Sequence, residues 1–211
     1  MPTTSKAALR EKLLAARRGV PDEVRAAEAR LLDQQLEPIV PRGSTVCAYV
    51  PVGTEPGSID VLDTLLRRSV RVLLPAVRTA ADDTPLPLRW GEYRPGALTW
   101  RRWGLLEPPE PLLPPSALAE ADLVLVPTLA VDRSGVRLGR GSGFYDRSLG
   151  GRNPHARLIA IVRDDEVLDE LPTEPHDLRM TDALTPRGGL IPLIGGGHAG
   201  ECDESRGGSS T

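Results

Sequence analysis

The spacing of apolar residues changes near residue 45, and this change constrains the fold more than any other feature. Before it, apolar residues recur at helical intervals. Residues 5–18 set Leu9, Leu13 and Ala16 near one stripe and leave Lys6, Arg10 and Arg17 free to face elsewhere. Residues 21–37 repeat the pattern through Val24, Ala27 and Leu31. Pro21 suits a first helical position, Asp22 and Glu23 suit the first turn, and Pro38 and Pro41 close the helix. After residue 45 the chain shifts to short β-branched and apolar runs at 45–50, 70–74, 123–126 and 158–162. Between the first two lies a helix expected over 58–68, with Ser58 as its N-cap. Strand, helix and strand at this spacing make a βαβ unit, which implies a parallel pair and a right-handed crossover.

The remaining organisation is more irregular. Residues 78–116 are rich in proline, with one short strand expected at 86–90; a connection this long is usually functional or mobile. A glycine-dense turn precedes a short helix at 145–149, and residues 167–171 could be helical or extended. From Gly188 onward periodicity is lost. The expectation is one domain over residues 1–189 and a disordered tail over 190–211.

Composition excludes several function classes. With 26 basic and 29 acidic residues the formal charge is −3, so no net basic field favours nucleic acid. Three Trp, three Tyr and one Phe leave few stacking platforms for bases. Two cysteines without metal spacing form neither a zinc site nor a disulfide framework, and Cys47 in its apolar run reads as a small core residue. No window approaches a membrane span, and the first residues alternate charge with apolar groups, unlike a signal peptide. A monomeric cytoplasmic protein with no membrane partner is expected.

The chemistry concentrates between Val131 and Arg147. Gly139, Gly141 and Gly143 alternate just ahead of the expected short helix. A backbone without Cβ atoms turns tightly there and can bring its amides to phosphate oxygens. The helix start would add unpaired amides. Arg137 and Arg140 offer charge to the same anion, and Asp146 puts a carboxylate where a magnesium ion beside phosphates would need one. Read as composition alone, the same residues could form a plain surface turn with solvated arginines. The spacing G-x-G-x-G is neither the dinucleotide fingerprint nor a Walker A loop.

The run R-L-G-R-G-S-G-F-Y-D-R, from Arg137 to Arg147, resembles the signature of the 5-formyltetrahydrofolate cyclo-ligase (methenyltetrahydrofolate synthetase) family. Further blocks resemble that family in the right order: K-x-x-L-R at Lys6–Arg10, Y-V-P-V-G-T-E from Tyr49, W-G-L-L-E-P from Trp103, L-P-x-E-x-H-D from Leu171, and T-D-A-L-T-P from Thr181. The resemblance spans about residues 5–189. It implies a single α/β domain with a mixed, mostly parallel sheet and helices on both faces, the layout of ribose-5-phosphate isomerases and CoA transferases. It also implies ATP-dependent closure of 5-formyltetrahydrofolate to 5,10-methenyltetrahydrofolate, with Mg2+ as cofactor.

Carried to matching positions, the resemblance makes Lys6 and Arg10 helix-borne cations for ATP phosphates, the alternative being a solvated helix face. Arg137, Leu138, Gly139, Arg140, Gly141, Ser142, Gly143, Phe144 and Tyr145 become the nucleotide loop, with Arg140 and Tyr145 as catalytic residues. Arg140 through Phe144 also border the folate, which Val50 and Glu55 contact. Asp146 and Asp177 become magnesium ligands. Trp103 could stack near the pterin or anchor a loop, and His176 is assigned a structural role in its turn. Ser142 departs from the family's usual glycine or lysine. The stretch Arg163-Asp164-Asp165-Glu166 lacks a common glutamine, and the role of Arg71 is open. Two alternatives stand beside this reading: a sugar-phosphate isomerase or CoA-transferase-like enzyme, since fold does not dictate function, and a non-catalytic folate or nucleotide binder.

Overall fold

The computed structural model describes residues 5–174 and 177–194. Helix α1 (Lys6–Arg18) begins where the Ser5 hydroxyl accepts a hydrogen bond from the Ala8 amide. Helix α2 (Asp22–Leu36) follows, with Pro21 extended just ahead of it rather than in its first turn. Strand β1 (Thr45–Cys47), helix α3 (Asp60–Arg67) and strand β2 (Arg71–Ala76) form the expected unit, with β1 and β2 parallel. Ser58 still serves the start of α3, its hydroxyl accepting from the Asp60 amide at 3.1 Å.

The proline-rich stretch holds β3 (Arg89–Glu92), β4 (Thr99–Trp100) and β5 (Leu106–Glu107). Beyond it come β6 (Leu123–Pro127), β7 (Ala130–Asp132), β8 (Arg137–Leu138), α4 (Phe144–Ser148), β9 (Arg157–Ile161), β10 (Val167–Leu168), β11 (Asp182–Thr185) and β12 (Gly189–Pro192).

Seven strands make one sheet in the order β12-β11-β9-β6-β1-β2-β3. The five inner strands are parallel, and β3 and β12 join the edges antiparallel. Pleating sends alternate side chains to opposite faces. Val46, Val72, Leu125 and Ile159 pack with Leu32 and Leu36 of α2 and Leu62 and Leu65 of α3. Cys47, Leu73, Val124 and Leu158 pack on the other face with Leu118 and Leu149. The layout is the mixed, mostly parallel α/β domain expected. Smaller sheets order β10-β7-β8 and β4-β5 lie beside it.

The expectation of a tail over residues 190–211 is corrected for its first five residues, 190–194. Residues 189–192 are β12, paired residue for residue with β11; Leu193 is buried, and the Ile194 amide donates to the Arg133 carbonyl at 2.9 Å. Proline is tolerated there because an edge strand need not donate on both sides. The boundary placed at residue 189 therefore falls inside a hairpin. Residues 195–211, with His198 and Cys202, lie outside the described residues, as does His176.

Candidate active site

The chain leaves β1 on one side to reach β2 and returns on the other side to reach β6. The sheet therefore reverses its winding between β1 and β6, and ligands of open α/β sheets bind at the carboxyl ends of strands beside such a point. A cleft of about 550 Å³ lies there. Tyr49 and Val50 line it after β1, Pro75 and Val77 at the end of β2, and Pro127 at the end of β6. Its far wall is the loop from Arg137 to Asp146.

Asp132, which sequence reasoning passed over, organises the entry to that loop. Its carboxylate is buried and accepts from the Ser134 amide (2.9 Å) and hydroxyl (2.7 Å), the Val136 amide (3.0 Å) and the Leu171 amide (3.0 Å). The signal was present in Asp132-Arg133-Ser134-Gly135, a turn sequence whose acidic side chain can bind the backbone two residues on. The hairpin so fixed brings Arg137 to the cleft. Gly141 and Gly143 then adopt φ of +100° and +75°, the left-handed region that favours glycine. A Cβ on Gly143 would come within 2.5 Å of the Arg147 guanidinium. Because α4 has only five residues, it adds little macrodipole; loop amides and arginines carry the positive potential.

The cations converge from three elements. The Arg10 Nε donates to the Gly139 carbonyl at 2.9 Å, binding α1 to the loop. The Lys6 Nζ reaches Asp177 at 3.1 Å and Glu174 at 3.2 Å. Desolvation pulls the Lys6 pKa down, but bonds to Asp177 and Glu174 outweigh it and leave it raised, so the ammonium persists. The Arg137 guanidinium, 6% exposed, donates to the Leu178 carbonyl at 3.0 Å and pairs with Asp146; burial lowers its pKa despite that partner. The Arg140 Nη1 lies 3.1 Å from a Glu55 oxygen, whose other oxygen accepts from the Val52 amide at 3.0 Å.

Most expected residues meet in this cleft: Val50, Glu55, Arg137, Gly139 through Tyr145, and Asp146 all line it. Leu138 does not, since its side chain packs below with Leu9 and Leu13 of α1. Lys6, Arg10 and Asp177 do not line it, although Arg10 meets the loop at the Gly139 carbonyl. Asp146 and Asp177 each face a cation, and the described residues contain no group of three His, Cys, Asp or Glu able to hold a metal.

Tyr145 and Trp103 complete the wall. The Tyr145 hydroxyl is buried and has no hydrogen-bond partner among the described residues, and burial pushes its pKa far up. Trp103 is exposed in a left-handed turn; its ring lies 6.3 Å from that of Phe144, with the Arg102 guanidinium 4.7 Å above it. Arg71 is held on the surface by Glu92 and Glu120 and does not line the cleft.

This fold and site define an α/β domain with a glycine- and arginine-rich loop at the switch point of its sheet. The chain belongs to the 5-formyltetrahydrofolate cyclo-ligase family, whose model matches residues 2–186. It is 57% identical over 193 residues to a 5-formyltetrahydrofolate cyclo-ligase of Mycolicibacterium smegmatis, spanning 92% of this chain and 100% of that protein. A cyclo-ligase of Escherichia coli strain K12 is 28% identical over 151 residues, 71% of this chain and 81% of its own length. The 5,10-methenyltetrahydrofolate synthetase structure from Aquifex aeolicus shares the fold at TM-score 0.72 and 23% identity, covering 95% of this chain and 99% of that one. The corresponding Mycoplasma pneumoniae structure gives 0.65 at 21% identity, covering 84% and 96%. The protein is thus an enzyme of the ligase class acting in folate one-carbon metabolism. Family membership sets aside the isomerase and CoA-transferase alternative.

Proposed function

We propose that this ligase joins the formyl carbon and N10 of 5-formyltetrahydrofolate at the expense of ATP, releasing ADP, phosphate and 5,10-methenyltetrahydrofolate. The observation that carries the reading is the meeting of the glycine–arginine loop with the carboxyl end of β1 in one cleft. Phosphates would sit on loop amides beside Arg137 and Arg140, with Arg10 and Lys6 adding charge from α1. The pterin would lie between Val50, Glu55 and Phe144, with Trp103 closing over it.

In the first step the formyl oxygen attacks the γ-phosphorus; the O–P bond forms and the bond to ADP breaks. N10 then attacks the formyl carbon, loses its proton, and phosphate departs with the oxygen. An amide-like oxygen leaves poorly until phosphorylated, and phosphoryl transfer depends chiefly on positioning and charge neutralisation. Arg140 would neutralise the moving phosphoryl group, and the unpartnered Tyr145 hydroxyl is a neutral donor for an oxygen gaining charge. Asp146 and Asp177 have the hard oxygen donors that magnesium takes alongside phosphates; the ion would offset phosphate charge when bound. Glu55, already serving Arg140 and Val52, would use its remaining lone pairs for pterin N–H groups. The free, buried Cys47 accords with a cytoplasmic setting.

The test is methenyltetrahydrofolate absorbance, expected with ATP and magnesium and absent when either is withheld. Asp146→Asn should fold normally and lose on the order of 100-fold in rate. Turnover without ATP would refute the reaction, and native turnover of Asp146→Asn at saturating magnesium would refute the metal assignment.

A further inference from the structure

Helix α1 carries Lys6 and Arg10, yet its one buried residue is an arginine. Its leucines are only partly buried, Leu9 and Leu13 lying on the small cluster of Ala130, Val136, Leu138 and Leu171. A helix with so little apolar burial is weakly held by packing, because most helical stability in proteins comes from tertiary contact. Polar bonds hold it instead. Near its carboxyl end the Arg17 guanidinium binds Glu166 through two parallel bonds, 2.6 Å from Nε and 2.7 Å from Nη2, and Nη2 also reaches the Thr128 carbonyl at 2.6 Å. Both side chains are at least nine-tenths buried. Glu166 is itself fixed by the Arg163 amide at 2.7 Å.

Thr128 follows β6 and Glu166 follows β9, so the clamp grips α1 onto the carboxyl ends of two adjacent inner strands. Arg17 and Arg10 are seven residues apart, two helical turns, and side chains at that interval share a face. The clamp at one end thereby sets where Arg10 meets Gly139 at the other.

We infer that Arg17 and Glu166 are positioning residues for the nucleotide half of the reaction, holding α1 so that Lys6 and Arg10 stand at the glycine loop. The inference rests on the assignment of Lys6 and Arg10 to ATP phosphates. A bidentate arginine pair suits this task, since it fixes orientation as well as distance.

Arg17→Met alone leaves Glu166 charged and buried and destabilises the whole chain; the informative variant is Arg17→Met with Glu166→Gln. The pair removes both charges, and glutamine retains an acceptor for the Arg163 amide. If the clamped arrangement falls to about a tenth of the population, apparent nucleotide affinity falls about tenfold. The expected result is a native melting temperature, a KM for ATP raised about tenfold, a KM for 5-formyltetrahydrofolate and a kcat within threefold of native, and faster amide exchange in α1 without ligand. Arg10→Met is measured in parallel. If it raises the KM for ATP while the double variant leaves it native, Arg17 and Glu166 are structural only and the inference fails alone. If neither variant changes the KM for ATP, the nucleotide assignment of α1 fails and the inference falls with it.

Discussion

At the scale of single residues, the Tyr145 hydroxyl, without a hydrogen-bond partner among the described residues, lets the proposed catalytic role be separated from stability. A buried donor with no partner destabilises the fold, and removing it should relieve that penalty by about 1–2 kcal/mol. Tyr145→Phe should therefore melt higher than the native protein. On the proposed mechanism the same change also removes a donor to the reacting oxygen, so kcat should fall at least about tenfold, given that such donors contribute on the order of 100-fold. Thermal scans with steady-state kinetics check both signs; a lower melting temperature, or a native kcat, would show that the hydroxyl has another role. Residue identities here were legible because an alternating glycine run flanked by arginines has few uses. Residue partners were not. Glu55 reads from sequence as a ligand contact, but the folded loop also sets it against Arg140 and the Val52 amide, a pairing of residues 85 apart. Glu166 likewise looked like a departure within an acidic run, and only the arrival of Arg17 from 149 residues away explains its burial.

At the scale of elements, long runs were readable and short ones were not. The strands β1, β2, β6 and β9 are buried on both faces and so appear as continuous apolar stretches. Strands β4, β5, β8 and β10 have two residues each, too few for any period to register. β12 was hidden by its glycine and proline, in a glycine-rich stretch. Its contribution can be measured by ending the chain after Gly188, which uncovers β11 and removes Leu190, Ile191 and Leu193 from their contacts. Partial to full burial of three such side chains is worth roughly 3–5 kcal/mol. A domain of this size loses about 2–4 °C per kcal/mol, so the melting temperature should drop by roughly 6–20 °C. A change below 2 °C would mean that β12 adds nothing to the sheet.

At the scale of the whole molecule, the sequence conveyed the architecture through its inner strands and the site through its loop, while the joining of the two depends on topology. The switch between β1 and β6 places Tyr49, Val50 and Pro127 around one cleft, although nothing local to those residues says that they meet. The same close packing against the sheet buries Tyr49, Tyr93 and the hydroxyl of half-buried Tyr145, with a consequence over the entire fold. Desolvation of buried Tyr49 and of the Tyr145 hydroxyl raises both pKa values strongly. Burial, with a bond to the Asp63 carboxylate at 2.7 Å, pushes Tyr93 up to about 12. A free phenol titrates near pH 10. Because each folded pKa exceeds the unfolded one, the neutral phenols stabilise the fold fully below about pH 10, and that stability is lost as pH rises through the folded values. Absorbance near 295 nm should therefore show almost no phenolate at pH 10 in the native protein, against about half ionisation in denaturant. Above about pH 11 phenolate and unfolding should appear together, as one cooperative step, because ionisation is far easier once the sheet has opened. Independent titration of even one tyrosine near pH 10 in the folded protein would show that its ring is open to water and that the packing around it is looser than described.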